Sequence, residues 1–502
     1  MQNPLYDCLF APHRGNPDSF LYLPDREISF DEFCKMAARF ANAVAQYGLV
    51  AGDRLAVQVE KSAQALAVYA ACVQSGVVFF PLNSGYTVDE VMYFLENSGA
   101  KLMLCDGRNA AALSPVAASC GTKLAVLNQD GSGDFAALAL GLPDEFETVA
   151  RGPNDLAALL YTSGTTGRSK GAMLSQQNLI SNAAVLRDAW HFTSDDVLLH
   201  ALPIFHTHGL FVATNICLLA GAGMVFQASF DLENMLNALP QATTMMGVPT
   251  FYARLLADAR FDADLVGHMR LFVSGSAPLL ADTHVAFEAR TGHKILERYG
   301  MTETNMITSN PYFGERRAGT VGTALPGIEV KICDPATGAT LPNGEIGVLE
   351  VRGQNVFQGY WQMPEKTAEE LRSDGFFITG DLAIASNDGY ISIVGRGKDL
   401  VITGGFNVYP KEVETQLDEQ SGVLESAVFG VPHPDFGEGV LAVIVAKSGA
   451  CPDLKNIKEA LNQRLAKFKQ PKEIFILDEL PRNTMGKVQK NILRNQYGAH
   501  FK

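Results

Sequence analysis

Leu159–Ser175 reads LLYTSGTTGRSKGAMLS. An apolar strand signal, Leu159-Leu160-Tyr161, runs directly into Thr162, Ser163, Gly164, Thr165, Thr166, Gly167, Arg168, Ser169, Lys170 and Gly171. Glycines let a backbone approach a ligand closely and turn its N–H groups inward. The hydroxyls add donors of fixed protonation, and Arg168 and Lys170 add positive charge. Together these features suit a polyphosphate held at the end of a buried strand. A solvated loop is the simpler reading of most Gly/Ser-rich runs. An unbroken series of small, hydroxylic and cationic residues after a buried-type strand disfavours it. The stretch is not a Walker A loop. The GxxxxGK[ST] spacing is absent here, and ahead of Gly486-Lys487 it is Pro481 that stands where the first glycine belongs.

The flanking sequence alternates helix and strand signals. Ser29-Phe30-Asp31-Glu32 is a capping box that opens an Ala-rich helical stretch ending at Gly48, and Asp53 to Val59 reads as a strand. Thr87-Val88-Asp89-Glu90 is a second capping box, with Val91, Phe94 and Leu95 on one face and Gly99 as the stop. Leu102 to Cys105 reads as a buried strand. This rhythm predicts α/β layering with mostly parallel sheets. Residues 318–362 differ: short apolar runs between Pro-Gly, Asn-Gly and Arg-Gly turns predict a small β-rich subdomain. Beyond Gly395-Arg396-Gly397-Lys398-Asp399 the pattern resets. A strand (Leu400–Thr403), a helix from Pro410, and strands near 424–431 and 439–446 follow. Next come a helix from Asp453 with Leu454, Ile457, Leu461 and Leu465 on one face, a strand (Glu473–Leu477) and a basic tail. The expected organisation is a large N-terminal α/β domain of several subdomains over 1–396. A small α/β C-terminal domain over 397–502 joins it through a hinge.

Composition narrows the function. The 502 residues suggest roughly three structural units, and 47% hydrophobic against 19% charged residues supplies large cores. Forty Lys+Arg against 54 Asp+Glu gives a formal charge of −14, which argues against nucleic acid or anionic membranes as general partners. No apolar run reaches a membrane-spanning length, and the N-terminus carries no signal or transit pattern. The last residues, GAHFK, are not a peroxisomal address. The eight cysteines form no CxxC pair, so neither a zinc site nor a redox motif is expected. Reduced thiols in a cytoplasmic protein are the expectation.

The loop at 161–170, Tyr-Thr-Ser-Gly-Thr-Thr-Gly-Arg-Ser-Lys, resembles the phosphate loop of the adenylate-forming superfamily, which holds acyl-CoA synthetases, firefly luciferase and adenylation domains. Four further segments resemble that family in its own order. They are Glu297-Arg-Tyr-Gly-Met-Thr-Glu303, Thr379-Gly-Asp381, Gly395-Arg-Gly-Lys-Asp399 and Pro481-Arg-Asn-Thr-Met-Gly-Lys487. Within the superfamily the chain looks most like the malonyl-CoA synthetases. The resemblance implies ATP, magnesium and coenzyme A as cosubstrates and cofactor. It implies attack of a carboxylate on the α-phosphorus, then transfer of the acyl group to the CoA thiol. Thr162, Ser163, Gly164, Thr165, Thr166, Gly167, Arg168 and Lys170 would hold the phosphates. Glu303, with Thr166, would hold magnesium, since hard cations take oxygen ligands. Tyr299, followed by Gly300, Met301 and Thr302, would stack on adenine. Asp381 would accept from the ribose hydroxyls with Arg396 beside it. Lys487 would meet the charge that builds in the first step, and its acetylation by a lysine acetyltransferase, reversed by a deacetylase, would remove that charge. Lys398 would be the hinge, and Gly404 and Gly405 would leave room for pantetheine.

Two departures from the common family pattern bear on the acid. Ser274-Gly-Ser276-Ala-Pro-Leu stands where many relatives have SGAAPL or SGGAPL, and Arg298 precedes Tyr299 where many have glycine. A hydroxyl and a guanidinium make no sense against a fatty chain, because an unpaired buried charge is costly. They suit an acid with a second carboxylate. His206, Thr207 and Met306, with His208, are expected as walls, His206 closing the site over the carboxylate. Malonate is the expected acid; other short dicarboxylic, short-chain and aryl acids remain alternatives. So does a catalytically silent nucleotide sensor, which Glu303, Asp381 and Lys487 together disfavour.

Overall fold

The computed structural model describes residues 2–162, 169–404, 406–483 and 486–501. The chain divides into two compact units, one of 1–329 with 351–377, the other of 330–350 with 378–502.

The first unit contains two large sheets. One runs in the strand order Thr323–Ala324, Asn305–Ser309, Leu296–Met301, Leu271–Ser274, Thr244–Gly247, Val197–His200, Gly223–Phe226, Ser19–Tyr22, Glu27–Ser29. Its interior pairs are parallel and its ends antiparallel. Leu271–Ser274, Thr244–Gly247 and Gly223–Phe226 are buried at every residue, as parallel strands covered on both faces must be. The other sheet orders Lys123–Val126, Leu102–Cys105, Arg54–Gln58, Val78–Pro81, Leu156–Thr162, Lys170–Ser175, parallel except for the last pair. Both predicted capping boxes form, at Ser29/Glu32 and Thr87/Glu90. Between strands, the helix Ala63–Ser75 is buried on all sides, as its uniformly apolar sequence requires.

The second unit contains most of a four-stranded sheet (Glu329–Cys333, Ile346–Arg352, Phe377–Ala385, Ile391–Arg396). It also contains a five-stranded sheet built on the long antiparallel pair Val423–His433/Gly437–Ala446. The predicted helix after Asp453 spans Leu454–Arg464, with Asp453 capping Lys455 and Asn456, and Glu473–Leu477 is a strand as read. Among the described residues no helix is long and apolar enough to cross a membrane, and no disulfide joins the cysteines.

Candidate active site

Leu156–Thr162 and Lys170–Ser175 form an antiparallel hairpin in which Thr162 faces Lys170. The first strand of this pair is the last parallel member of its sheet, and open α/β sheets bind ligands beyond the carboxyl ends of such strands. Residues 163–168, which include Ser163, Gly164, Thr165, Thr166, Gly167 and Arg168, lie outside the described residues, as does Gly405.

A network of side chains organises the base of this hairpin. Glu303 is buried and accepts from the Thr162 hydroxyl (3.3 Å) and the Tyr360 phenol (3.1 Å). The Tyr360 oxygen also lies 2.6 Å from Glu370, which grips Lys170 at 3.1 and 3.2 Å. Lys170 caps the Tyr360 ring at 4.1 Å. Burial works against ionisation of Glu370, yet Tyr360, Lys366 and Lys170 together hold its carboxyl below its ordinary range. Burial, with the carboxylates of Glu303 and Glu370, pushes the phenol up, so Tyr360 stays protonated and donates. Tyr360 and Glu370 are absent from the sequence reading; no local pattern singles them out.

The hairpin Leu296–Met301/Asn305–Ser309 separates the two sides of the site. Arg298 pairs with Ser309 and Tyr299 with Thr308, and a register shift then sets Gly300 opposite Met306 and Met301 opposite Asn305. Alternation along the strand puts Arg298 and Gly300, with Met306 across from it, on one face and Tyr299 and Met301 on the other. A Cβ on Gly300 would lie 2.0 Å from the Asn305 carbonyl oxygen, so the close approach of the strands requires glycine. Asn182 and Asn355 hold the backbone at Met306. Met301 and Thr302 are half-buried.

Arg298 is 3% exposed, and no carboxylate pairs with it among the described residues. Its Nε and Nη2 have no hydrogen-bond partner. The guanidinium lies over Gly275, where an added Cβ would be 2.3 Å from Cζ. Burial lowers its pKa to about 9, still above neutrality, so the charge persists. Next to Gly275, Ser276 adopts φ +72°, and its hydroxyl is 3.1 Å from His208 Nδ1. His208 is pushed well below its usual pKa by burial and then by Arg298, His200 and His206. His206, lowered to about 4 by burial, is likewise neutral at pH 7. The buried His206 Nε2, Thr207 Oγ1 and His208 Nε2 lack partners, as the two guanidinium nitrogens do. One cation and three neutral donor-acceptors thus remain to be satisfied, the set a carboxylate would fill. His208, expected only as a wall, is the residue that engages Ser276.

In the second unit, Asp381 and Arg396 face each other across an antiparallel pair and form an ion pair at 2.7 Å. The Thr379 hydroxyl donates to the Leu349 carbonyl and accepts from the Asp381 N–H. Gly380 between them has φ +70°, the conformation that favours glycine. Lys487 has its pKa lowered to about 8, by desolvation first and then by Arg396. Lys487 is solvent-exposed beside the Arg396 guanidinium. Lys398 is exposed in the short turn Gly397–Asp399, and Asp399 pairs with Arg494. Gly404 has φ +57°.

Residues 11–361 match the family model described as AMP-binding enzyme, and residues 412–487 match the AMP-binding enzyme C-terminal domain. The chain belongs to the AMP-binding enzyme family. This member is 53% identical to ATP-bound MatB from Rhodopseudomonas palustris, over 100% of both chains with a TM-score of 0.98. It is 35% identical to a feruloyl-CoA synthase of Amycolatopsis sp, over 94% of each. With a malonate–CoA ligase of Arabidopsis thaliana it shares 33% identity over 89% of this chain and 78% of the relative.

Proposed function

We propose that this protein is an AMP-forming malonate–CoA ligase that makes malonyl-CoA through a malonyl-adenylate. The observation that carries the reading is Arg298, a buried guanidinium with two unpartnered nitrogens beside Ser276 and His208. An acid with one carboxylate spends it on the α-phosphorus, so only an acid with a second can satisfy Arg298. A short acid fits because Arg298 and Tyr299 are consecutive residues. The malonate–CoA ligases among the relatives support this reading. The feruloyl relative is as similar overall, but an aryl group would leave the guanidinium buried and unpaired.

Adenylation demands charge neutralisation more than covalent help. Lys170 is preset by Glu370 and Tyr360 at the hairpin base, ready for the phosphates. Asp381, oriented by Arg396 and Thr379, accepts from the ribose. Lys487 donates to the oxygens that gain charge. Glu303 is a single buried carboxylate with hydroxyl neighbours, and this oxygen set fits magnesium, which takes one or two carboxylates together with substrate phosphates. Magnesium, when bound, neutralises phosphate charge. We further propose that 397–502 moves about Lys398 between the two half-reactions, bringing Gly404 and Gly405 to the pantetheine. The test is AMP formation by the purified protein: it should require both malonate and CoA and be slow with benzoate, ferulate or propionate. Equal turnover of ferulate would overturn the malonate assignment.

A further inference from the structure

A second buried basic side chain lies in the same unit, and burial pushes its pKa well below the usual lysine range. Lys61 is 7% exposed and, among the described residues, makes no ion pair. It sits between the strand Arg54–Gln58 and the helix Ala63–Ser75, directly before the helix cap Ser62. A cation at a helix N-terminus is opposed by the helix dipole, and burial opposes it further. Its geometry is nonetheless complete. Nζ donates to His200 Nδ1 and to the His200 carbonyl, both at 2.9 Å, and lies 4.2 Å from the centre of the Phe226 ring. Two acceptors and a π-face thus surround the nitrogen.

These contacts fix His200. Its Nε2 lies 2.8 Å from the Gly209 carbonyl oxygen, which can only accept, so the proton is on Nε2 and Nδ1 is free to accept from Lys61. Thr214 donates to the same carbonyl at 2.9 Å. Gly209 closes the turn from Pro203: an added Cβ would lie 2.1 Å from the Pro203 carbonyl oxygen. That turn carries His206, Thr207 and His208, and it leads into the π-helical stretch His208–Thr214, a wide helix form frequent at functional sites. The chain of contacts thus runs from Lys61 through His200 and Gly209 to His208, and from there to Ser276 beside Arg298.

We propose that Lys61 is a positioning residue for the acid: through His200 it pins Gly209 and so sets the turn that presents His206, Thr207 and His208 to the second carboxylate. The inference rests on the malonate reading. It explains why a buried lysine is tolerated without a carboxylate partner, where a methionine would fill the same space at less cost. Lys61 touches neither substrate nor nucleotide in this scheme.

The test compares wild type with Lys61→Met in ATP–pyrophosphate exchange, using malonate and then propionate as the acid. KM for malonate should rise about tenfold, while KM for ATP stays within twofold and the thermal midpoint does not fall. Propionate, which has no second carboxylate, should respond less than threefold. His200→Leu should reproduce the malonate defect. His200→Gln, which keeps a donor and an acceptor, should recover part of it, and this pair serves if Lys61→Met does not fold. An unchanged KM for malonate would overturn the proposal. So would parallel rises for malonate and ATP with a lower thermal midpoint, which mark a merely structural lysine. Wild type is measured first. If it refuses malonate, the functional reading fails by itself, and the positioning claim is then decided by KM of the acid it does accept against KM of ATP.

Discussion

Replacing Arg298 by methionine tests the malonate assignment at its physical centre. In the free protein the guanidinium is 3% exposed, and burial pulls its pKa down to about 9. No carboxylate offsets that cost among the described residues. A carboxylate about 4 Å away at an effective dielectric near 20 returns roughly 4 kcal/mol. Truncating one partner of a buried charge pair costs about 2–5 kcal/mol. Arg298→Met should therefore lower kcat/KM for malonate by roughly 30- to 5,000-fold. Butyrate never used the cation, so its kcat/KM should hold or rise. Methionine also removes a buried charge that no carboxylate offsets among the described residues, so the thermal midpoint should rise. The assay is the malonate-to-butyrate ratio of kcat/KM in both proteins, with melting curves alongside. An unchanged ratio, with both acids and the midpoint falling together, would refute the reasoning and make Arg298 a support of the fold.

Three further outcomes are expected. Lys487→Ala should abolish adenylate formation yet largely spare thioester formation from supplied malonyl-adenylate. Because the ammonium titrates at about 8 and the step needs it protonated, the rate of pyrophosphate release should hold below that pH and fall about tenfold per unit above it; a flat profile to pH 10 would exclude the role. Lys398→Pro, which fixes φ near −65°, should leave adenylation intact and collapse CoA transfer, measured as two separate half-reactions. Tyr360→Phe removes the donor shared by Glu303 and Glu370. A hydrogen bond to a charged group is worth about 1.5–3 kcal/mol, so KM for Mg-ATP should rise about 10- to 100-fold with KM for malonate little changed.

What was legible in the chain follows from how far apart the interacting residues lie. A capping box spans four residues, and a buried strand announces itself in four apolar ones, so Ser29/Glu32, Thr87/Glu90 and Leu102–Cys105 stand in the structure as read. The ties that arrange the site are long-range. Lys170 meets Glu370 across 200 positions, and Lys61 meets His200 across 139. No periodicity encodes such pairs; the tertiary fold makes them, Glu370 closing the helix Pro364–Glu370. His200 ends one strand and Lys61 follows another in a different sheet, and the two meet inside one unit. Residue type misleads in the same places. A lone lysine is ordinarily a solvated charge and a lone histidine a packing residue, and only burial reveals Lys61 and His208 as exceptions. Arg298 was legible because it departs from a pattern at a position already tied to the ligand. Lys61 lies in no motif. Its meaning comes from the same physical test that singles out Arg298: a basic side chain that folding has buried with no carboxylate beside it among the described residues. Such burial opposes folding unless something else requires it. Here both side chains connect to the His206–His208 turn, which the malonate reading sets against an anion.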